Sequence, residues 1–239
     1  SQRRERTGSS AAHDLLDESH GVRMRALKKL ASDNAPVDAG CIEHLLYVLR
    51  IPILGRMERT EERHREVMAV KALLTDPLLD PLDVEEWLPS FEQLFEGVPR
   101  SDAAWNGEPQ LPYWFVVDAV LAVLARVRPS ARVRCVPAII AACLATPKPR
   151  MRTSLEGPTL DQAGMSAAGP GCSASKRAII AVQLGALATL SDLESSAIAP
   201  HAAALAIHLQ PGSRAIVPVR VGCLALLGKV QWTRLIKAE

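Results

Sequence analysis

The sequence predicts an all-α fold made of stacked helix pairs, and three observations support this class. Apolar residues recur at helical spacing almost everywhere, whereas the alternation typical of β-strands is hard to find. Aromatic residues make up only 4% of the 239 residues, and Ala and Leu are plentiful, which suits closely packed helices better than sheets. A loosely shared helical motif also returns about every 40–50 residues, with one longer interval at an insertion, as in proteins built from repeated helical hairpins.

The helices are expected in five pairs, with Pro and Gly residues at most of the joins. The clearest apolar stripe runs through residues 83–97, where Val84, Leu88, Phe91 and Phe95 lie on one helix face before Gly97 ends the helix. The predicted pairs are a short pair within 10–32, then 38–52 with 61–75, 83–97 with 113–128, 131–145 with 175–191, and 195–209 with 213–230.

The second helices of these pairs share a motif. GVRMRALKKLA at 21–31 and PVRVGCLALLGKV at 218–230 both contain Val-Arg, a small residue three positions after the Arg, and then two Leu residues three apart. KRAIIAVQLGAL at 176–187 fits the same frame, and HREVMAVKALL at 64–74 fits it more loosely. The alignment places Arg23, Arg177 and Arg220 at equivalent positions.

This motif resembles HEAT repeats, with armadillo repeats as the near relative, and the resemblance covers residues 10–235. It implies a right-handed α-solenoid of about five stacked helical hairpins, in which each hairpin buries its apolar side against its neighbours. It also implies that Arg23, Arg177 and Arg220 contact the neighbouring repeat or the preceding turn. Proteins of this kind present long surfaces that bind other proteins.

The chain is expected to contain four segments. Residues 1–9 are predicted to be a flexible N-terminal segment, and residues 10–146 to hold HEAT-like repeats 1–3 with the first helix of repeat 4. Residues 147–174 are rich in Pro, Gly, Ser and Thr without an apolar period, which predicts a flexible insertion loop. Residues 175–239 then complete repeat 4 and form repeat 5.

Cysteine usage and hydropathy favour an intracellular protein, cytoplasmic or nuclear. The five cysteines are scattered and form no CxxC pair, as expected in a reducing compartment. The longest apolar stretches, at 113–125 and 136–145, fall short of a membrane span. Because the N-terminus has neither an initiator Met nor the apolar core of a signal peptide, we interpret the chain as a fragment or a processed product.

No motif indicates catalysis, a metal site or a cofactor. The glycine-rich run before Lys176 resembles a phosphate-binding loop, but Pro170 stands where that loop requires Lys. Cys41 and His44 alone are too few ligands for zinc, and His201 and His208 are interpreted as a pair at a helix surface or groove. There is no GxSxG motif around a serine. We therefore expect a non-enzymatic protein.

Charge is distributed in two blocks, although the formal net charge is only +2. Acids dominate between Asp76 and Glu108, whereas residues 119–155 carry basic side chains and no acid. One interpretation is that these charges solvate helix ends and turns. The other is a basic ridge that binds acidic or phosphorylated partners, formed by Arg126, Arg128, Arg132, Arg134, Lys148, Arg150, Arg152, Lys176 and Arg177.

Two loop features are further candidates for function. Trp105 lies in a polar loop, and an exposed Trp can anchor a partner, although folding back onto the helices is the alternative. Thr153 and Ser154 follow basic residues in the predicted insertion, a setting that favours phosphorylation.

These observations predict a protein-binding scaffold that forms part of a larger chain or assembly. A nucleic-acid-binding module that uses the same basic ridge is the alternative. An enzyme on a helical-repeat frame, by analogy with HEAT-like DNA glycosylases, is a third hypothesis from fold analogy alone.

Overall fold

The computed structural model describes residues 11–32, 37, 39–51, 58–96, 111–144, 174–211, 213 and 215–236. All regular secondary structure in these ranges is helical, which confirms the predicted all-α class. Within the same ranges, no helix has both the length and the apolar character needed to cross a membrane. The described residues up to Cys135 form one compact unit, unit 1, and those from Val136 onward form unit 2.

Unit 1 begins with a short helical segment at 11–14. Its longer helices agree with the predicted pairs to within a few residues. They are α1 His20–Ser32, α2 Ala39–Arg50, α3 Glu58–Leu74, α4 Pro81–Glu86, α5 Leu88–Glu96, α6 Leu111–Leu124 and α7 Pro129–Arg132, the last continuing as a 3₁₀ turn at Val133–Cys135.

Unit 2 contains two long helices and several short ones. Its last helix ends six residues beyond the predicted position 230. Its elements are α8 Val136–Ile139 with a π-helical turn at Ile140–Leu144, α9 Ala174–Ser191, α10 Ser195–Ile198, a 3₁₀ turn at Ala199–His201, α11 Ala202–Ala206, a second 3₁₀ turn at Ile207–Leu209, and α12 Val217–Ile236.

Three helices predicted as continuous are broken, each close to a proline. Pro89, Pro137 and Pro200 each occupy the second position of a new helical segment. Proline has no backbone N–H to donate to the carbonyl four residues earlier, and its ring crowds that carbonyl. The helix therefore stops and restarts, since proline is tolerated in a first turn. All three breaks fall in the first helix of a predicted pair.

In unit 1, helix α3 packs against α1, α2 and α6. Its apolar side supplies Val67, Val70 and Leu74 to the core, where Leu27 of α1 and Val120 of α6 are also buried. Helix α2 contacts α4 and α5, and α5 contacts α6. Helices α2, α4 and α5 fall in the first helices of the predicted pairs, and α2 lies against the other two. Helices α1, α3 and α6 are the second helices, and α3 lies against both α1 and α6.

Unit 2 repeats this arrangement around α12, which packs on α9, α10 and α11. Val219 and Cys223 of α12 are fully buried, as are Val182 of α9 and Leu205 of α11. At Gly222 the two long helices approach closely, because a Cβ atom there would lie 2.7 Å from Cδ1 of Leu187.

A buried ion cluster joins three helices of unit 1 around the carboxylate of Glu66, which is 1% exposed. Glu66 Oε1 accepts a hydrogen bond from Arg23 Nε at 2.8 Å and lies 2.8 Å from Nδ1 of His20. Arg63 Nη1 donates to Glu66 Oε2 at 3.2 Å, and its Nη2 donates to the Leu49 carbonyl at 2.8 Å. Burial lowers the pKa of Arg63, and the charge of Glu66 opposes that shift. The cluster thus ties α1 and α2 to α3.

We expect Glu66→Ala to lower the free energy of unfolding of the protein by about 3–5 kcal/mol, since it leaves two buried guanidinium groups without their counter-ion. Denaturant unfolding followed by circular dichroism measures this change. Glu62→Ala is the matched control, because Glu62 is exposed on the same helix and its loss is expected to change stability by no more than about 0.5 kcal/mol. Equal midpoints for the two variants would contradict a structural role for the cluster.

Candidate partner-binding surfaces

The structure corrects the predicted basic ridge at Arg132, which is 2% exposed and therefore lies inside unit 1. Arg126 is also directed inward. Its Nη1 donates to the Asp76 carbonyl at 2.5 Å and its Nη2 to the Leu79 carbonyl at 3.2 Å. Arg126 thus links the residues just after α6 to the turn that follows α3, a role that its charge alone did not predict.

Arg128 and Arg134 do reach the surface, but each meets an acid from the acidic block. Arg128 forms a two-pronged pair with Glu85, with Nε–Oε1 at 2.8 Å and Nη2–Oε2 at 2.5 Å. Its hydrogen bonds lower the pKa of the Glu85 carboxyl. Arg134 Nη2 lies 3.4 Å from Oε2 of Glu92. Among the described residues, these pairs therefore neutralise part of the acidic block with part of the basic block.

The other candidate residues lie outside the described residues: Lys148, Arg150, Arg152, Trp105, Thr153 and Ser154. Lys176 and Arg177 belong to α9, but their side chains are not described. The predicted N-terminal segment at 1–9 and all but the last residue of the predicted insertion at 147–174 also lie outside this part of the chain. These assignments remain predictions.

Arg23 and Arg220 both contact the turn before their own helix. Arg23 Nη1 donates to the carbonyls of Asp17 and Glu18, both at 2.8 Å. Arg220 Nη2 donates to the Ser213 carbonyl at 2.8 Å. The shared Val-Arg motif therefore fixes the start of a second helix in both units.

Sequence reasoning missed a further set of basic side chains that link neighbouring helices. Lys71 of α3 pairs with Asp118 of α6 at 2.7 Å. Lys229 of α12 donates to the carbonyls of Ser191 and Leu193, at and beyond the end of α9. A lysine among apolar residues on a predicted helix is the only sequence signal for this role, and it does not identify the acceptor.

The outward faces of the second helices differ in chemistry. Helix α1 exposes Arg25, Lys28 and Lys29, and α3 exposes charged residues as well. Helix α12 instead exposes apolar side chains: Val217, Val221 and Leu224 are 50%, 59% and 60% exposed. This apolar face was not predicted, because the sequence pattern alone left open which side of α12 is buried.

The candidate metal ligands do not converge. Among the described residues there is no group of three His, Cys, Asp or Glu side chains that could hold a metal ion. The thiol of Cys41 is buried, while the His44 ring nitrogen Nδ1 lies 2.8 Å from the Gly40 carbonyl oxygen in its own helix.

The interpretation of His201 and His208 as a surface or groove pair is wrong for His208. Its side chain is completely buried, and its Nε2 lies 2.5 Å from the Leu144 carbonyl oxygen. Nδ1 is buried and makes no hydrogen bond within the described residues. Burial lowers the pKa of His208, and the hydrogen bond to Leu144 partly opposes that shift. His208 therefore joins the second 3₁₀ turn to the end of the π-helical turn in its neutral form.

Comparison with known proteins adds no relative, since no protein-family model, curated protein or solved structure matches this chain.

We expect Cys135, Cys143 and Cys223 to resist alkylation by iodoacetamide in the native protein. All three are buried, and burial raises the pKa of Cys135 and of Cys223 to about 11 and raises that of Cys143 as well. At pH 8 a thiol with such a pKa is thiolate in about one molecule in a thousand. Peptide mass spectrometry measures labelling, with the guanidinium-unfolded chain as the control. Native labelling of any of the three at the unfolded rate would contradict this burial.

We also expect the free energy of unfolding to fall as the pH decreases below 6.5, the usual pKa of histidine. Because the folded-state pKa of His208 is depressed, the unfolded state binds more protons in this range, with a slope of at most about 1.4 kcal/mol per pH unit. His208→Gln retains an N–H donor for Leu144 but does not titrate, so its profile is expected to be flatter. His201→Gln, which removes an imidazole that is not fully buried, is the matched control. A His208→Gln profile parallel to that of the wild type would rule out this contribution.

Proposed function

We propose that this chain is a non-enzymatic, protein-binding scaffold in which each unit is a stack of HEAT-like helical hairpins. The proposal rests on one observation in unit 1, the recurring sequence separation between polar partners on neighbouring helices, and is extended to unit 2 by its own helix contacts. Arg23 and Glu66, Arg50 and Gln93, and Glu85 and Arg128 are each 43 residues apart. Glu92 and Arg134 are 42 apart, and Lys71 and Asp118 are 47 apart.

This separation of 42–47 residues in unit 1 supports stacking because it approximates the length of one helical hairpin. In a stack, each residue lies beside its counterpart in the next hairpin, so partner residues recur at the repeat length. The helix contacts agree: α3 lies between α1 and α6, and α12 lies on α9.

The surface that we propose for partner binding in unit 1 is the first-helix ladder, defined here as Arg50 with Gln93, Glu85 with Arg128, and Glu92 with Arg134. Its members come from α2, α4, α5 and the residues around α7. The side chains of Arg128 and Arg134 are 63% and 51% exposed, so a partner can reach them. Because the ladder holds both acids and bases, it suits a protein partner that carries both signs of charge.

The same ladder argues against the nucleic-acid alternative. Phosphate binding depends on several lysines or arginines that are free to replace counterions. Of the four described ridge arginines, Arg132 is buried, Arg126 is committed to carbonyls, and Arg128 and Arg134 face carboxylates.

We expect immobilised wild-type protein to capture a protein partner from cell extract after nuclease treatment, and the double variant R128E/R134E to lose it. The quadruple variant E85R/E92R/R128E/R134E keeps both ion pairs and the net charge but exchanges the positions of the signs, so it too is expected to lose the partner. Quantitative mass spectrometry of the captured proteins, with matched circular dichroism of the three baits, measures the effect.

The control is R65E/E61R on α3, which exchanges an exposed pair that lies 3.5 Å apart outside the ladder. It is expected to retain the partner. Equal recovery on all baits would exclude the ladder as the binding surface. Recovery that disappears on nuclease treatment would support the nucleic-acid module instead.

A further inference from the structure

The outward face of α12 carries a continuous apolar stripe that nothing in unit 2 covers within the described residues. Val217, Val221, Leu224 and Gly228 follow each other at intervals of four, three and four residues. The buried residues of α12, Val219, Cys223, Leu226 and Val230, are each displaced by two positions and so lie about 200° around the helix. The exposed stripe is therefore directly opposite the side that packs on the core.

No charge interrupts this stripe. Between positions 217 and 230 the only charged residues are Arg220 and Lys229, and both donate to backbone carbonyls, of Ser213 and of Ser191 and Leu193. A surface helix ordinarily has a polar face toward water, as α1 does with Arg25 and Lys28. An apolar outward face of this kind is typical of a helix that packs against another element.

We propose that the stripe is a homodimer seam, in which α12 of one copy packs antiparallel against α12 of a second copy. Intervals of four, three and four residues are those of a two-helix seam, where every interface residue stays on the contact line. The same uncharged surface on both sides brings no like charges together, and antiparallel helices have favourably opposed dipoles. A twofold interface requires this self-complementarity.

The antiparallel register also matches large side chains with open space. With the twofold axis between positions 222 and 223, Val221 faces Leu224 of the partner copy, and Val217 faces Gly228 of that copy. A Cβ atom at Gly228 would find no atom within 4 Å, so the position leaves room for a valine from the other copy. The seam therefore places two Val–Leu and two Val–Gly contacts symmetrically.

The experiment compares the wild-type chain with V221E and L224K in sedimentation velocity over a concentration series. We expect the wild type to dimerise, and each single variant to weaken the dimer by at least about tenfold, because each puts an unpaired charge into an apolar contact. Both positions are exposed in the single copy, so circular dichroism and thermal unfolding are expected to match the wild type. L78E is the matched control, since Leu78 is equally available, at 69% exposed, but lies in unit 1.

Mixing the two single variants tests the direction of the helices. In the antiparallel register the carboxylate introduced by V221E meets the ammonium introduced by L224K in the other copy, and the second contact keeps its native Leu224 and Val221. A heterodimer is therefore expected in the mixture, and raising the salt concentration is expected to weaken it.

Three results would overturn the proposal: a wild-type chain that stays monomeric at every concentration, a mixture of V221E and L224K that does not associate, or a monomer that uses the stripe to bind neutral lipid vesicles. None of them bears on the first-helix ladder of unit 1, so this test and the partner-capture test fail independently.

Discussion

The buried carboxylate of Glu66 imposes the constraint on which unit 1 depends. An isolated charge inside a protein is strongly unfavourable, so it requires counter-ions and hydrogen bonds at fixed places. Arg23 of α1 and Arg63 of α3 provide them, and Arg63 also reaches the last turn of α2. Apolar packing would tolerate a helix that slides by a turn. The cluster does not, because such a shift of about 5.4 Å would separate every one of these partners.

The sequence separation of 42 or 43 residues between paired side chains explains how charge is arranged along the chain. The acidic block and the basic block look like opposing surfaces in the sequence, but the fold brings together residues 42 or 43 positions apart, Glu85 with Arg128 and Glu92 with Arg134. Exposed pairs of this kind contribute little to stability. Their importance is that they place acids and bases from the two segments side by side on one surface.

The spacing of apolar residues and the amino-acid composition were sufficient to predict the all-helical class, because the apolar stripe of a helix is a local property of the sequence. The contact of Arg23 and Arg220 with the preceding turn is one of two contacts that were expected at this position. Residue type was not sufficient to predict the position of Arg132 and His208, because both are polar or charged and yet buried. Their burial depends on which distant carbonyls and apolar side chains surround them. Pro137 and Pro200 are plain in the sequence as residues that can interrupt a helix. Only the backbone shows that a new helical segment begins there at once.

Helices α1 and α12 each have an outward face, and the two faces differ in chemistry. Each is packed on one neighbouring second helix, α1 on α3 and α12 on α9, so each has an outward face that no second helix of its own unit covers. On α1 that face is charged and can remain in water. On α12, Arg220 and Lys229 donate to backbone carbonyls, and Val217, Val221 and Leu224 are exposed. Removing such apolar area from water is favourable and needs no directional partner. A second copy is the occupant that always has the matching surface, because it brings the same uncharged stripe with the same spacing.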